Sequence, residues 1–208
     1  MKILHFSDLH IGYERYSKTT DLETGLDDRI VDFLNVFDEL VEYAIIENVD
    51  LVLFAGDAFK TRNPTPTHLR EFTKRLMKLT HNNIPVVLVV GNHDIPAVKQ
   101  RATSLDIFPT MNVDKVTVID QLKLYTVNTK NNEQVQIIGL PWPRFGTFTS
   151  NIRKKDPNMK VEEIAKSIVD VFDTSINIEL KKIDKNIPCI FSGHLSVMEA
   201  NTSTETLM

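Results

Sequence analysis

Four short groups along the chain contain residues able to hold a divalent metal: Asp8-Leu9-His10, Gly56-Asp57, Gly91-Asn92-His93-Asp94 and Gly193-His194. Together Asp8, His10, Asp57, Asn92, His93 and His194 offer carboxylate oxygen, amide oxygen and imidazole nitrogen, with no thiolate. Such a set suits a hard or borderline ion such as Mn2+, Mg2+, Fe2+ or Zn2+. Each group alone has a plainer reading. Asp8 or Asp57 fits a cap or a turn, Asn92 tolerates left-handed backbone, and His10 or His194 fits a surface or strand-end position. Their joint occurrence carries the chemical reading, because every group follows a short apolar run.

Those runs, residues 2–6, 50–55, 85–90 and 188–191, have the length and composition of strands. Ligands leaving the C-terminal ends of successive strands converge at one edge of a sheet, where open α/β folds build their sites. Between the first two runs, residues 26–48 carry Ile30, Phe33, Leu34, Phe37, Leu40, Val41, Ala44 and Ile45, a helical stripe with one face for a sheet. Asn63-Pro64-Thr65-Pro66 forces a rigid loop, and a helix is predicted over 67–82. Val86 to Val90 is apolar throughout, as in a strand covered on both faces. This βαβαβ opening predicts a parallel sheet with right-handed crossovers. Segments 116–119, 122–127 and 135–139 read as strands in antiparallel hairpins, with a polar turn at 128–133. Residues 141–158 read as a long surface loop, 161–182 as a helix, and 188–192 as the last strand. With no repeat or linker, one α/β domain is expected.

The 208 residues suffice for one buried core, and 42% apolar and 25% charged residues are ordinary for a globular chain. The longest apolar runs are strand-sized, so no membrane helix is expected. The first residues, Met-Lys-Ile-Leu-His-Phe-Ser-Asp, do not read as a secretory leader. Cys189, the sole cysteine, falls in a predicted buried strand and can form no internal disulfide, which fits a reducing cytoplasm. A net charge of −4 and a pI near 5.9 argue against tight DNA binding by basic surface alone. Part of that negative charge is ligand carboxylate that bound cations would offset. Basic clusters at Lys60 and Arg62, at Arg70, Lys74, Arg75 and Lys78, and at Arg144, Arg153, Lys154 and Lys155 read mainly as solvated faces. His5 is expected in the core or behind the metal ligands, and His68 and His81 at the surface.

In order along the chain, the four groups resemble the motifs of calcineurin-like binuclear metallophosphoesterases. The wording His5-Phe6-Ser7-Asp8-Leu9-His10-Ile11-Gly12, Gly56-Asp57-Ala58-Phe59 and Gly139-Leu140-Pro141 looks like the SbcD branch, the nuclease subunit of a double-strand-break repair complex. The resemblance spans residues 1–198. It implies a metallophosphoesterase fold, a central β-sandwich of mixed sheets flanked by helices on both sides. It implies two Mn2+, with Mg2+, Fe2+ or Zn2+ as alternatives. By the resemblance Asp57 bridges the ions, Asp8 and His10 hold the first, and Asn92 and His194 the second. His93 is then the catalytic acid or transition-state stabiliser rather than a ligand, and Asp94 supports the loop from behind. Lys60 stands where many nucleases of this branch carry Asp or His; it and Arg62 are candidate phosphate contacts.

The partners implied are DNA ends, an SbcC-type ATPase and a second copy pairing through helices at 67–82 and 97–107, with no membrane. The chain departs from the pattern after His194. The resemblance implies a further Gly-x-His-x-His element with two more ligands, then a capping region and an ATPase-binding segment, whereas residues 195–208 contain no histidine. The expectation is a nuclease domain truncated before its last metal motif and capping domain, with weakened metal binding and activity. Two other functions fit the same residues: a phosphomonoesterase or cyclic-nucleotide phosphodiesterase, and a non-catalytic scaffold with an incomplete metal site.

Overall fold

Alternating apolar runs and amphipathic stripes fold as strands and helices in the computed structural model, which describes residues 1–13, 19–22, 24–96, 98 and 101–195. The first sheet has the order β1 (Ile3–Phe6), β2 (Leu51–Phe54), β3 (Val86–Val89), β4 (Val116–Ile119), all parallel. Helix α1 (Asp28–Ile46) joins β1 to β2, and α2 (Pro66–His81) joins β2 to β3. Thr65 caps α2, its hydroxyl accepting from the His68 amide, with Pro66 at the first helical position. Phe72 of α2 packs against Phe37 of α1, Phe54 of β2 and Phe59, at ring separations of 5.8, 6.1 and 5.2 Å. That aromatic layer, with Val52, Val86 and Leu88, buries the helix-facing side of the sheet.

The opposite side faces a second sheet of β5 (Lys123–Asn128), β6 (Gln134–Leu140) and β7 (Cys189–Gly193). Leu51, Leu53, Val87, Val89 and Ile119 meet Val127, Val135 and Ile137 across the gap. The period-two alternation of strands explains the division: in β2, Val52 and Phe54 face the helices while Leu51 and Leu53 face the second sheet. Helix α5 (Val161–Leu180) lies over the second sheet, where Glu179 accepts a hydrogen bond from the Leu124 amide. The architecture is the sandwich with helices on both sides that the resemblance implies, with a purely parallel first sheet and a mixed second one.

Other expectations are corrected. β4 is not in a hairpin: it pairs parallel with β3, because Val116 and Val118 complete the helix-side core while Ile119 fills the space between the sheets. The short link from Ile119 to Lys123 therefore crosses from one sheet to the other. Residues 141–158 contain α4 (Phe145–Lys155), whose Phe148 packs on Phe172 of α5 at 5.3 Å and whose last turn carries Arg153, Lys154 and Lys155. Those cations suit the negative end of the helix dipole. Cys189 and His5 are exposed, since each lies on an edge strand of its sheet. His68 is buried, its ring against Gly12. Of the helix expected at 97–107, residues 97, 99 and 100 lie outside the described residues; a 3-10 turn at Ser104–Asp106 and a short helix α3 at Ile107–Thr110 are found instead.

Candidate metal centre

The backbone ladder between β1 and β2 continues beyond both strands and brings the first two groups together. The amides of Asp8, His10 and Ile11 donate to the carbonyls of Gly56, Asp57 and Ala58 at 2.9, 3.1 and 3.0 Å. Within this double loop Asp8, His10 and Asp57 hold left-handed backbone, at φ 61°, 47° and 62°. Such conformations cost energy in non-glycine residues and persist where surrounding bonds over-determine them. Gly56, at φ 102°, has no room for a side chain because a Cβ would run into the His194 ring. Gly91 is constrained likewise by the amide and carboxylate of Asp57.

The third group is fastened by Asp94. Fully buried, it accepts from the amides of Asp57 (3.0 Å), Gly91 (2.9 Å) and Ala58 (3.1 Å), and so staples the turn after β3 to the turn after β2. Burial pushes its carboxyl up to about 6, against the pull of those amides. The His93 amide in turn donates to Asp57 Oδ1 at 2.9 Å. The fourth group arrives from the second sheet, where the His194 amide donates to the Leu140 carbonyl at 3.0 Å.

All six candidate donors meet around Asp57. Two sets of three have donor atoms within 4.8 Å of one another: His10, Asp57 and His93, and Asp8, Asp57 and His194. Asp57 belongs to both, and its side chain is nearly inaccessible. His194 Nε2 lies 3.5 Å from Asp57 Oδ2 and 2.9 Å from Asn92 Oδ1; His10 Nε2 lies 3.4 Å from Asp8 Oδ1 and 3.8 Å from Asp57 Oδ2. Asp8 thus stands within reach of both His10 and His194. His93 Nε2 is 4.0 Å from Asp57 Oδ2, closer to the donors than the resemblance alone requires of a non-ligand.

Two histidine tautomers follow from the geometry. His194 Nδ1 lies 2.7 Å from the Ala55 carbonyl and His93 Nδ1 lies 2.7 Å from the Lys60 carbonyl. A carbonyl only accepts, so both Nδ1 atoms carry the proton and both neutral rings present an Nε2 lone pair to the cluster. His10 Nδ1 is buried with no hydrogen-bond partner among the described residues, which leaves Nε2 as its engaged nitrogen. Hydrogen bonding from His10 holds the Asp8 carboxyl below the usual range. Burial opposes ionising Asp57, yet the His194 contact and the His93 amide outweigh it and keep that carboxyl low as well. The His194 ring, disfavoured as a cation by burial, is raised to about 8 by Asp57. Anionic carboxylates and inward Nε2 lone pairs fit divalent cations; the same cluster stripped of cations would hold extra protons.

At the rim, Lys60 Nζ sits 5.3 Å over the Tyr13 ring, and exposed Arg62 lines a cavity that also touches Asn92. Trp142 is absent from the residues that the sequence marks, although it directly follows Gly139-Leu140-Pro141 and is the only tryptophan. Its amide donates to the Val90 carbonyl at 2.9 Å and its ring lies 6.0 Å from that of His194.

The family model for calcineurin-like phosphoesterases matches residues 1–198. The chain belongs to that family. Among curated relatives it is similar to the DNA double-strand break repair protein Mre11 of Sulfolobus acidocaldarius, with 27% identity over 94% of this chain and 49% of the relative. The Mre11 protein of Saccharolobus solfataricus is 32% identical over 61% of this chain and 33% of its own length, and that of Thermoplasma acidophilum 40% over 45% and 23%. The matched segments thus span at most about half of these relatives. Among the described residues, no helix is long and apolar enough to cross a membrane.

Proposed function

We propose that this phosphoesterase domain holds two divalent ions and hydrolyses phosphodiesters at DNA ends, as the nuclease part of a double-strand-break repair protein that works with an SbcC-type ATPase. The observation that carries the reading is Asp57, one carboxylate shared by two sets of metal-type donors. The relatives' names, which are those of DNA break repair proteins, support DNA over a small ester.

In this reading Asp57 would contribute to both ions, Asp8 and His10 would hold one, and Asn92 and His194 the other; Mn2+ suits the oxygen and nitrogen set. When bound, the ions supply an activated water and neutralise charge on the phosphate. The chain's own residues do the rest. Asp94 fixes the Asp57 main chain, and the His93 amide keeps the Asp57 carboxylate from turning. His93, fixed through Nδ1, carries any second proton on Nε2, facing the cluster, from which it can pass to a leaving oxygen. Lys60 and Arg62 supply positive charge at the rim for neighbouring phosphates.

A second copy is proposed to dock on α2. Phe72 is used internally, but Leu69 and Met77, with Ile107 of α3, line an open groove. Light scattering at micromolar concentration is expected to show a dimer; a strict monomer would rule it out for this chain.

The function is tested by incubating a protein that carries this domain with linear duplex DNA, p-nitrophenyl phosphate and a cyclic nucleotide, each with Mn2+ or with chelator. Metal-dependent DNA cleavage is expected. Turnover of only the small esters would transfer the site to the runner-up chemistry, and inertness toward all three in the full-length protein would favour a scaffold.

A further inference from the structure

Next to the donor cluster, and sharing Asn92 with it, is a cavity of about 370 Å³ lined by Arg62, Trp142, Arg144 and Phe145. We propose that this cavity is the subsite for the nucleobase adjoining the scissile phosphodiester, with Trp142 and Phe145 as the stacking platform and Arg62 and Arg144 as contacts to the flanking phosphate. The inference rests on the phosphodiester reading above and names the part of the substrate that the donors leave unaddressed.

Three observations carry it. The first is aromatic geometry. The Trp142 and Phe145 rings stand almost perpendicular, at 88° and 5.8 Å, so they form a corner with two different planes. Phe145 packs by its ring on Phe172 of α5 at 6.3 Å yet remains 43% exposed at the start of α4, so part of the ring is open to a ligand. Bases of any sequence stack on such rings, because every base has a π-face.

The second is anchorage. The Trp142 amide is bonded to the Val90 carbonyl, at the end of the strand that delivers Asn92 and His93. The platform and the candidate catalytic turn therefore share one rigid support. The Trp142 ring also abuts the His194 ring, so a base on the platform would place its own phosphate toward the donors.

The third is charge. Arg144 Nη1 donates to the Pro96 carbonyl at 3.1 Å, which orders the guanidinium and leaves other N–H donors for a phosphate. None of the cavity's lining residues is acidic, in a chain whose net charge is −4. The volume is within the range, roughly 300–1,000 Å³, of small-ligand sites.

Trp142 is the only tryptophan, so its fluorescence reports the subsite directly. The chain, kept in chelator, would be titrated with a four-residue deoxyoligonucleotide and, separately, with an abasic strand of the same length. Saturable quenching by the oligonucleotide alone is expected. Fluorescence anisotropy of a labelled oligonucleotide should show Trp142→Ala weakening binding about tenfold, near the low end for loss of one base–aromatic stack. Trp142→Phe, which keeps a ring and guards against a folding artefact, should stay within about threefold. Arg144→Gln should flatten the salt dependence of binding. Unchanged emission at saturating oligonucleotide, equal quenching by the abasic strand, or wild-type affinity in Trp142→Ala would each overturn the subsite, even if DNA is cleaved. Quenching by bases in a protein that cleaves no DNA would leave the subsite standing and overturn the nuclease reading instead.

Discussion

Strands β1 to β3 and strand β7 all end in candidate ligands, yet they are held in different ways. β2 and β3 are buried at every position, and the loops that follow β1 and β2 stay zipped by backbone hydrogen bonds and stapled by Asp94. β7 is an edge strand with Cys189 and Phe191 exposed, the latter 50%. His194 reaches the cluster from the second sheet and is tied to the first through its ring, by Nδ1 to the Ala55 carbonyl and, when the ring is a cation, by Nε2–H to Asn92 Oδ1. The first sheet therefore pre-organises its donors through its own backbone. The donor from the second sheet is only as well placed as the apolar layer between the sheets permits.

Asp57 belongs wholly to the rigid side, and its loss should have the largest effect. Asp57→Ala removes the one donor common to both sets, so DNA hydrolysis should fall to background and metal content, measured by elemental analysis, should drop for both ions. Wild-type turnover in that variant would break the comparison at its root. His93→Ala is next. It should lower turnover by roughly 10²–10⁴-fold, the usual worth of a positioned acid, while leaving metal content near wild type. Loss of metal would make His93 a ligand, as its 4.0 Å approach to Asp57 permits.

A third variant tests the dependence on inter-sheet packing. Ile137 of β6 is fully buried between the sheets, beside the strand that carries His194. Ile137→Ala should cost about 2–5 kcal/mol of stability by denaturant unfolding, the range for a large-to-small core change. It should also weaken metal binding, since His194 sits on the sheet that shifts. An equal truncation on the helix side, Leu76→Ala in α2, should cost similar stability and leave metal affinity alone. Equal affinity loss in both would mean that the donors are coupled to the whole core rather than to one interface.

The contrast also marks what could be read from the sequence. The donors of the first sheet were legible because each follows an apolar run that is continuous or nearly so, as buried parallel strands require. Side-chain type and spacing were enough there. The sheet membership of β4 was not legible. Val116, Val118 and Ile119 face two different cores, a division that emerges only when both cores exist. α4 was hidden for a related reason, because its Gly, Thr and Ser content has weak helix preference and packing of Phe148 on Phe172 overrides it. The sequence marks Asp94 as a supporting carboxylate, but its three amide partners come from two turns 33 or more residues apart along the chain. Left-handed backbone at Asp8, His10 and Asp57 has little sequence mark either, beyond the nearby Gly12 and Gly56 that announce tight turns.

The smallest effect is electrostatic and separates the tether of the second sheet from the staple of the first. His194 titrates at about 8, above its ordinary 6.5, because folding sets it against ionised Asp57. The stability from that pair is fully present below pH 6.5 and is lost as pH rises through 8. On the acid side it is lost as pH falls through the depressed value of Asp57. The shift corresponds to at most about 2 kcal/mol, reduced where solvent reaches the Asp8 side of the cluster. Asp94, raised to about 6, contributes in the same direction but between its ordinary 3.8 and 6, so the slope above pH 6.5 belongs to His194. In chelator, the melting temperature should therefore fall between pH 6.5 and 8 for the wild type and stay nearly flat for His194→Gln. With Mn2+ present the trend should weaken or reverse, because ion binding needs the neutral ring and releases its proton. A slope that survives in His194→Gln would move the titration to another group and remove the electrostatic part of the tether between the sheets.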